Sequence, residues 1–157
     1  MRRVAITAHR GLADEVERAV DSALRAHVRG LGPGVTGLSC LADGADTLFA
    51  RAVLEAGGAV EAVVPAERYR EGLPEGHHAA YDDLFAAAVL VHRLPHVDST
   101  SQAHLEAGRY LVEHCDELVA VWDGRPPRGP GGTADVVAHA RRSDRPLTII
   151  WPAGAAR

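Results

Sequence analysis

Six short apolar runs punctuate the chain, and most give way to a turn marked by glycine, proline or aspartate. Two of them, VEAVV at 60–64 and LVAVW at 118–122, do not alternate apolar with polar residues. A strand of that kind is buried on both faces, as in a parallel sheet covered by helices on either side. Between the runs the apolar spacing is helical. From Asp14 onward Leu12, Val16, Ala19, Val20, Ala23, Leu24 and Leu31 share one face at 3–4 spacing, until Gly30, Gly32, Pro33 and Gly34 stop the helix. Strands are predicted at 4–7, 35–40, 59–64, 89–95, 118–122 and 147–151. Helices are predicted from Asp14, then at about 45–55 and 77–88, from the cap-rich segment 98–101 to about Glu113, and at about 133–142, with 66–76 irregular. Strands alternating with helices in this way specify an α/β fold, three layers deep, with a mostly parallel sheet.

The chain has 157 residues, 46% hydrophobic and 24% charged. That is enough for one domain spanning 1–157 with a full core. Aromatics are 4%, so Ala, Val and Leu are expected to fill the core. The formal charge of −4 and pI near 6.1 speak against a constitutive nucleic-acid binder, which carries a basic footprint. No apolar run approaches the roughly 18 residues of a spanning helix. The apolar run in MRRVAITAHRG is too short for a signal peptide, so a cytoplasmic protein without a membrane partner is expected. Cys40 and Cys115 end apolar segments and read as buried, reduced thiols rather than a disulfide. None of the nine histidines has metal-ligand spacing on a predicted helix, so neither a metal nor a cofactor is expected.

Chemistry concentrates at the turns that follow strands. The stretch 115–137, CDELVAVWDGRPPRGPGGTADVV, runs from strand through glycine loop to helix. That arrangement presents backbone N–H groups to an anion, and the helix N-terminus adds about half a positive charge. Gly131, Gly132 and Thr133 read as a phosphate cradle, or as a plain turn with Thr133 capping the helix. Arg125 to Gly131 is short enough to be a lid. Asp43-Gly44-Ala45-Asp46 opens the second helix. Gly44 and Ala45 amides suit phosphate or ribose, Asp43 is equally a normal N-cap, and Asp46 suits the helix dipole. Arg10 and Gly11 follow the first strand; the Arg10 fork matches phosphate, and a solvated arginine is the plain alternative. Asp123, followed by Gly124, can hold a ribose hydroxyl, act as a base, or close an Asx-turn. Glu106 and Arg109 read as an ion pair on a solvated helix face.

Ser39 to Asp46 (SCLADGAD), followed by Ala56-Gly57-Gly58 and Val63-Val64-Pro65, resembles the core of the DNA-processing Smf proteins. Pro130-Gly131-Gly132-Thr133 resembles the phosphate loop of the lonely-guy phosphoribohydrolases. Val4 to Gly11 is similar to the first strand and turn of small bacterial relatives. The resemblance covers nearly the whole chain and points to the Smf/lonely-guy (SLOG) superfamily. It implies a single Rossmann-like domain, a nucleotide-type ligand and a homodimer. The chain departs from the pattern in three places. Cys40 follows the serine where Smf proteins have glycine, and Asp43 replaces their basic residue. The lonely-guy catalytic glutamate falls on Val136, with Asp135 one residue earlier. Binding of a nucleotide or nucleotide derivative, as a sensor, is therefore the first expectation. A hydrolase cleaving the N-glycosidic bond of a nucleoside monophosphate, with Asp135 or Asp123 as the carboxylate, is the alternative. Single-stranded DNA binding comes third. Gly44, Asp123, Gly132 and Thr133 are expected to line one cleft. The small residues Ala79, Ala80, Ala86, Ala87, Ala88 and Ala107 are expected to pack on the sheet or across a dimer.

Overall fold

Val4, Ala5 and Ile6 are all but fully buried, on alternating sides of the first strand. That strand, β1 (Arg2–Ala8), has a parallel partner on each side: β2 (Val35–Ser39) and β5 (Glu117–Val121). The computed structural model describes residues 2–127 and 132–156. The remaining elements are α1 (Asp14–Leu31), α2 (Ala45–Glu55), β3 (Ala59–Val64), α3 (His78–Ala87), β4 (Leu90–Arg93), α4 (Ser101–Glu113), α5 (Thr133–Arg142) and β6 (Leu147–Ile150). The six strands form one sheet in the order β4-β3-β2-β1-β5-β6, with every pairing parallel. The irregular stretch 66–76 holds two 3-10 turns, Arg70–Gly72 and Glu75–His77, the second reaching one residue beyond it.

Strand parity separates the two faces. Val4, Ile6, Val35, Val60, Ala62, Val64, Val119 and Val121 pack with α1, α2 and α3. Ala5, Leu38, Val63 and Leu118 pack with Ala107, Leu111 and Val112 of α4 and Val136 and Ala140 of α5. The sheet is thus covered on both faces, the Rossmann-like arrangement that the sequence specifies, and it is parallel throughout rather than mostly so.

Local details differ from expectation in instructive ways. The buried stripe of α1 is Val16, Val20, Leu24 and Val28 at strict fourfold spacing. Ala19 is exposed and Ala23 only half-buried, because the larger side chains fill the sheet contact. Helix α2 is capped by Gly44 at φ 88°, not by Asp43. Likewise Gly132 caps α5, and Thr133 is its first helical residue. Glu106 pairs with His96 at 2.9 Å and accepts from Gln102 at 3.2 Å in place of the expected Arg109 contact. Of the small residues, Ala107 is buried in the sheet-facing core while Ala79, Ala86 and Ala87 are exposed.

Gly108 sets how closely α4 and α5 meet over β1. A Cβ at that position would lie 2.5 Å from Val136 Cγ2. Val136 is β-branched and stiff at χ1, so it cannot swing away cheaply. Gly108→Ala should therefore destabilise the chain by about 1–3 kcal/mol, as overpacking does, despite a gain in helix propensity of about 1 kcal/mol. Chemical denaturation measures this. The penalty should vanish in a Val136→Ala background, and a penalty of the same size in both backgrounds would show that the contact is not its cause.

Candidate functional site

A cleft of about 250 Å³ opens at the carboxyl ends of β1, β2 and β3. Beside β1 the chain turns one way to β2 and the other way from β5 to β6. Ligands of open α/β sheets sit at such a switch point. The β1 exit supplies Thr7, Ala8, His9 and Arg10 to the cleft. The segment after β2 gives Cys40, Ala42 and Asp46, and the segment after β3 gives Pro65 and Tyr69. From the other face come His104, Ala107, Gly108 and Leu111 of α4, with Gly132, Thr133 and Val136 at the start of α5.

The β2–α2 turn is held from several directions. Leu41 is buried at φ 58°, a conformation that costs a non-glycine residue about 1–3 kcal/mol and persists only where its surroundings impose it. The imposition is visible here. Leu41 N–H donates to Ser39 Oγ at 3.0 Å, and His77 Nε2 meets the Leu41 carbonyl at 2.9 Å. Thr47 Oγ1 donates to the Ala42 carbonyl at 2.7 Å, and Ser39 Oγ donates to the Asp46 carbonyl at 3.2 Å. The result is to fix Asp46 at the wall of the cleft. Its Oδ2 accepts from Ala42 N–H at 3.3 Å.

The side formed by β1 and α5 is built differently. Thr133, 6% exposed, has its hydroxyl 3.5 Å from that of Thr7, so first turn of α5 and end of β1 are tied together. Gly132 is exposed at the N-cap, with φ −82° and ψ 175°. That is extended backbone open to any residue, so the role for glycine here is close approach rather than a positive φ. Arg10 binds Asp43 Oδ1 through Nη2 at 2.7 Å and Nε at 2.9 Å, which draws the β1 and β2 exits together over the cleft.

His9 is 8% exposed and packs edge-on against Trp151 at 5.7 Å. Its Nε2 lies 3.2 Å from both Asp123 Oδ1 and the Asp123 backbone N. Asp123 Oδ1 also accepts from Arg125 N–H at 3.0 Å, the Asx-turn geometry, with Gly124 at φ 83°. Asp123 is therefore committed to His9 and to its own turn, and it does not line the cleft.

Of the site residues expected from sequence, Arg10, Asp46, Gly132 and Thr133 come together around this cleft, with Asp43 attached through Arg10. Gly44 and Ala45 stand behind Asp46 as N-cap and first residue of α2. Gly11 is exposed at φ 66° just beyond, and Gly124 belongs to the Asp123 turn. Asp135 is half-buried on α5 away from the lining, while Val136 lines it. Gly131 and the rest of 128–131 in the expected lid lie outside the described residues. Thr7, His9, Tyr69 and His104 are additions. Tyr69 sits in the stretch read as irregular, and His104 has no motif around it. Only the position of Thr7 and His9 at the end of an apolar run pointed to the ligand edge.

Burial shapes the chemistry of the cleft. It pushes the Cys40 thiol far up, with the Asp46 charge adding to the effect. It pushes the Tyr69 phenol well above its usual value, with Cys40 and Asp46 adding to it. It lowers His104, assisted by the Arg10 charge. His104 Nε2 lies 2.8 Å from Ser99 Oγ. Thiol, phenol and imidazole are thus all held neutral. Asp46 is the group whose balance falls near neutrality. Burial raises its carboxyl from 3.8 to about 7, against the opposing Ala42 N–H and Arg10 charge, with Asp43 adding to the rise.

No family model matches the chain, and no curated protein matches it in sequence. Solved structures do resemble it. DNA processing protein A from Streptococcus pneumoniae aligns with a TM-score of 0.71 at 18% identity, over 98% of this chain and 51% of that one. The Helicobacter pylori DNA processing protein A, described for its single-stranded DNA binding mode, gives 0.71 at 13% identity, over 99% and 68%. A molybdenum cofactor binding protein from Rippkaea orientalis gives 0.61 at 12% identity, over 94% and 75%. The chain spans about half the length of the pneumococcal protein. These likenesses show the fold, and the first two carry it in DNA-processing proteins, the group that Ser39 to Asp46 resembles. Among the described residues no helix is long and apolar enough to cross a membrane.

The Asp46 shift has a definite sign. Below the unfolded value of 3.8 its contribution to stability is fully present. It is lost as pH rises to about 7, because the unfolded chain has given up a proton that the native carboxyl keeps. Asp46→Asn removes this titration while keeping an acceptor for Ala42 N–H. Its melting temperature relative to the parent should climb by several degrees between pH 4 and pH 8. A constant offset across that range would contradict the assignment.

Proposed function

We propose that the chain binds a nucleotide or nucleotide derivative in the cleft, its phosphate on the first turn of α5 and its remainder toward Asp46 and Tyr69. The observation that carries this reading is the convergence, at the sheet's switch point, of an open N-cap glycine, the Thr133 hydroxyl and the Arg10 guanidinium. A helix of ten residues begins there, and its free amides suit an anion. The N-cap Gly132 places no Cβ between those amides and the ligand. The fold neighbours are described as binding single-stranded DNA and a molybdenum cofactor. They lend the general idea of ligand binding at this fold, and the net charge of −4 favours a small ligand over a nucleic acid.

Binding without turnover is the favoured form. The position where the lonely-guy enzymes place their glutamate is Val136, an apolar lining residue. Asp135 lies off the lining, and Asp123 is engaged with His9.

Thermal shift with nucleoside monophosphates, ADP-ribose and NAD tests the reading. A ligand at about a hundred times its dissociation constant should stabilise the chain by about 2.7 kcal/mol. Gly132→Val should abolish that shift while leaving the melting temperature of the unliganded chain nearly unchanged, because the residue is exposed in extended backbone. An undiminished shift in the variant would move the phosphate elsewhere. Release of free base by the parent chain, lost in Asp135→Asn, would replace binding with hydrolysis. Salt-dependent affinity for an oligonucleotide with no response to mononucleotides would replace it with single-stranded DNA binding.

A further inference from the structure

Among the described residues Glu61, Glu117 and Asp46 are buried carboxylates beside the sheet, and they are treated differently. Glu61 is 6% exposed and satisfied at both oxygens: Arg3 Nη1 at 2.8 Å and Nη2 at 3.1 Å, and His92 Nε2 at 2.6 Å. Burial raises its pKa, but these partners outweigh burial and the net direction is down. Glu117, also 6% exposed, accepts from Thr148 Oγ1 at 2.6 Å and lies 3.3 Å from His27 Nε2 and 3.8 Å from Arg2. Asp46, 9% exposed, has no ion pair among the described residues, although the Arg10 charge, held by Asp43, reaches it. Its one side-chain hydrogen bond is the 3.3 Å contact to Oδ2, and Oδ1 receives none from the described residues. Oδ1 is not fully enclosed: Asp46 lines the open cleft, so this oxygen is left able to accept from whatever enters it. A mostly buried carboxyl with one free acceptor facing a cleft is placed to receive hydrogen bonds from a ligand.

The cleft therefore has two poles. At the β1–α5 side are an open N-cap and Thr133, suited to an anion, with Arg10, held by Asp43, between this side and Asp46. At the β2 side is a carboxylate that accepts hydrogen bonds, beside the Tyr69 ring and Pro65. The Tyr69 ring is fixed by edge contacts to Tyr81 at 6.0 Å and His104 at 5.9 Å, and it offers an apolar wall to a planar base.

We propose that Asp46 reads the base of the bound nucleotide by accepting from its N–H edge, and that the base it selects is guanine. Guanine presents a ring N–H and an exocyclic amine side by side, a pair of donors matched to a carboxylate. Adenine presents its amine beside a ring nitrogen that is itself an acceptor and faces the carboxylate repulsively. Hypoxanthine keeps the ring N–H and lacks the amine. This assignment rests on the nucleotide reading above and adds the identity of the base to it.

Calorimetric titration of the whole chain at pH 8 with GMP, IMP, AMP and inorganic phosphate tests it. The expected order is GMP, then IMP, then AMP, with GMP at least tenfold tighter than AMP. That is the low end of the discrimination of about 1–3 kcal/mol that a bidentate base contact supplies. Asp46→Asn, nearly isosteric, should bring the three nucleotides within about threefold of one another, mainly by weakening GMP. Its circular dichroism and melting temperature report that it is folded. GMP and AMP binding alike, or a GMP preference that survives Asp46→Asn, would overturn the base assignment and leave the phosphate site standing. Equal weakening of every nucleotide in Asp46→Asn would also overturn it, since a merely structural role does that. Phosphate and all three nucleotides failing to bind the parent would overturn both the assignment and the nucleotide reading.

Discussion

The pairing of β1 on both of its edges is the constraint from which the site follows. The chain first builds outward from β1 to β4, then crosses back to start again on β1's other edge, and right-handed crossovers in the two directions put their helices on opposite faces. Here β2, β3 and β4 build outward on one flank and β5 and β6 on the other. Helices α1 to α3 consequently lie on one face and α4 and α5 on the other. The gap left where the two sets diverge is the cleft, and its floor is the exit of β1 itself. Thr7, His9 and Arg10 reach it because the backbone hydrogen bonds continue one residue past the strand, with His9 N–H donating to the Val121 carbonyl at 3.1 Å.

Gly108 and Asp46 mark the two ways in which this arrangement departs from ordinary packing. Where α4 passes α5, the chain gives up a side chain so that Val136 can seat against the helix backbone. This brings the first turn of α5 down onto Thr7. At Asp46 it turns a mostly buried carboxyl toward the cleft rather than onto a cation. Three hydrogen bonds and a strained Leu41 hold the preceding turn, yet the carboxyl that turn positions has one weak partner. Rules broken locally, without a compensating contact in the same chain, concentrate at functional sites. The contrast with Glu61, whose two oxygens are filled by Arg3 and His92, shows that the fold can satisfy a buried carboxylate.

Much of the architecture was legible because the strands of a fully covered parallel sheet are apolar without alternation, a signal that Val60 to Val64 and Leu118 to Val121 carry plainly. Helix ends were legible from glycine, as at Gly32. What was not legible depends on three-dimensional register. Nothing local distinguishes Asp43, which pairs with Arg10, from a helix cap, or tells that Gly44 caps instead at positive φ. Asp123 looked like a site residue because it ends a strand at the ligand edge. Its capture by His9, from a strand more than a hundred residues earlier, is a matter of sheet order, and that order could not be read from one sequence. Tyr69 and His104 were invisible for the same reason: one lies in an irregular connection and the other on a helix, and only the crossover brings their rings within 5.9 Å.

The protonation states in the cleft decide what kind of chemistry it supports. A nucleophilic cysteine needs a neighbouring cation or helix N-terminus to hold the thiolate. Cys40 has burial and the Asp46 charge, both of which favour the thiol. Tyr69 is pushed the same way, and His104 is held neutral by burial and the Arg10 charge. A general acid for glycosidic cleavage would have to stand against the leaving base, and the one lining carboxyl that titrates near neutrality is Asp46. It enters the cleft from the segment after β2, whereas Thr133 and Val136 enter it from α5 on the other face. Among the described residues Asp46 is the one carboxyl of the lining, and Val136 is apolar where the lonely-guy pattern has its glutamate.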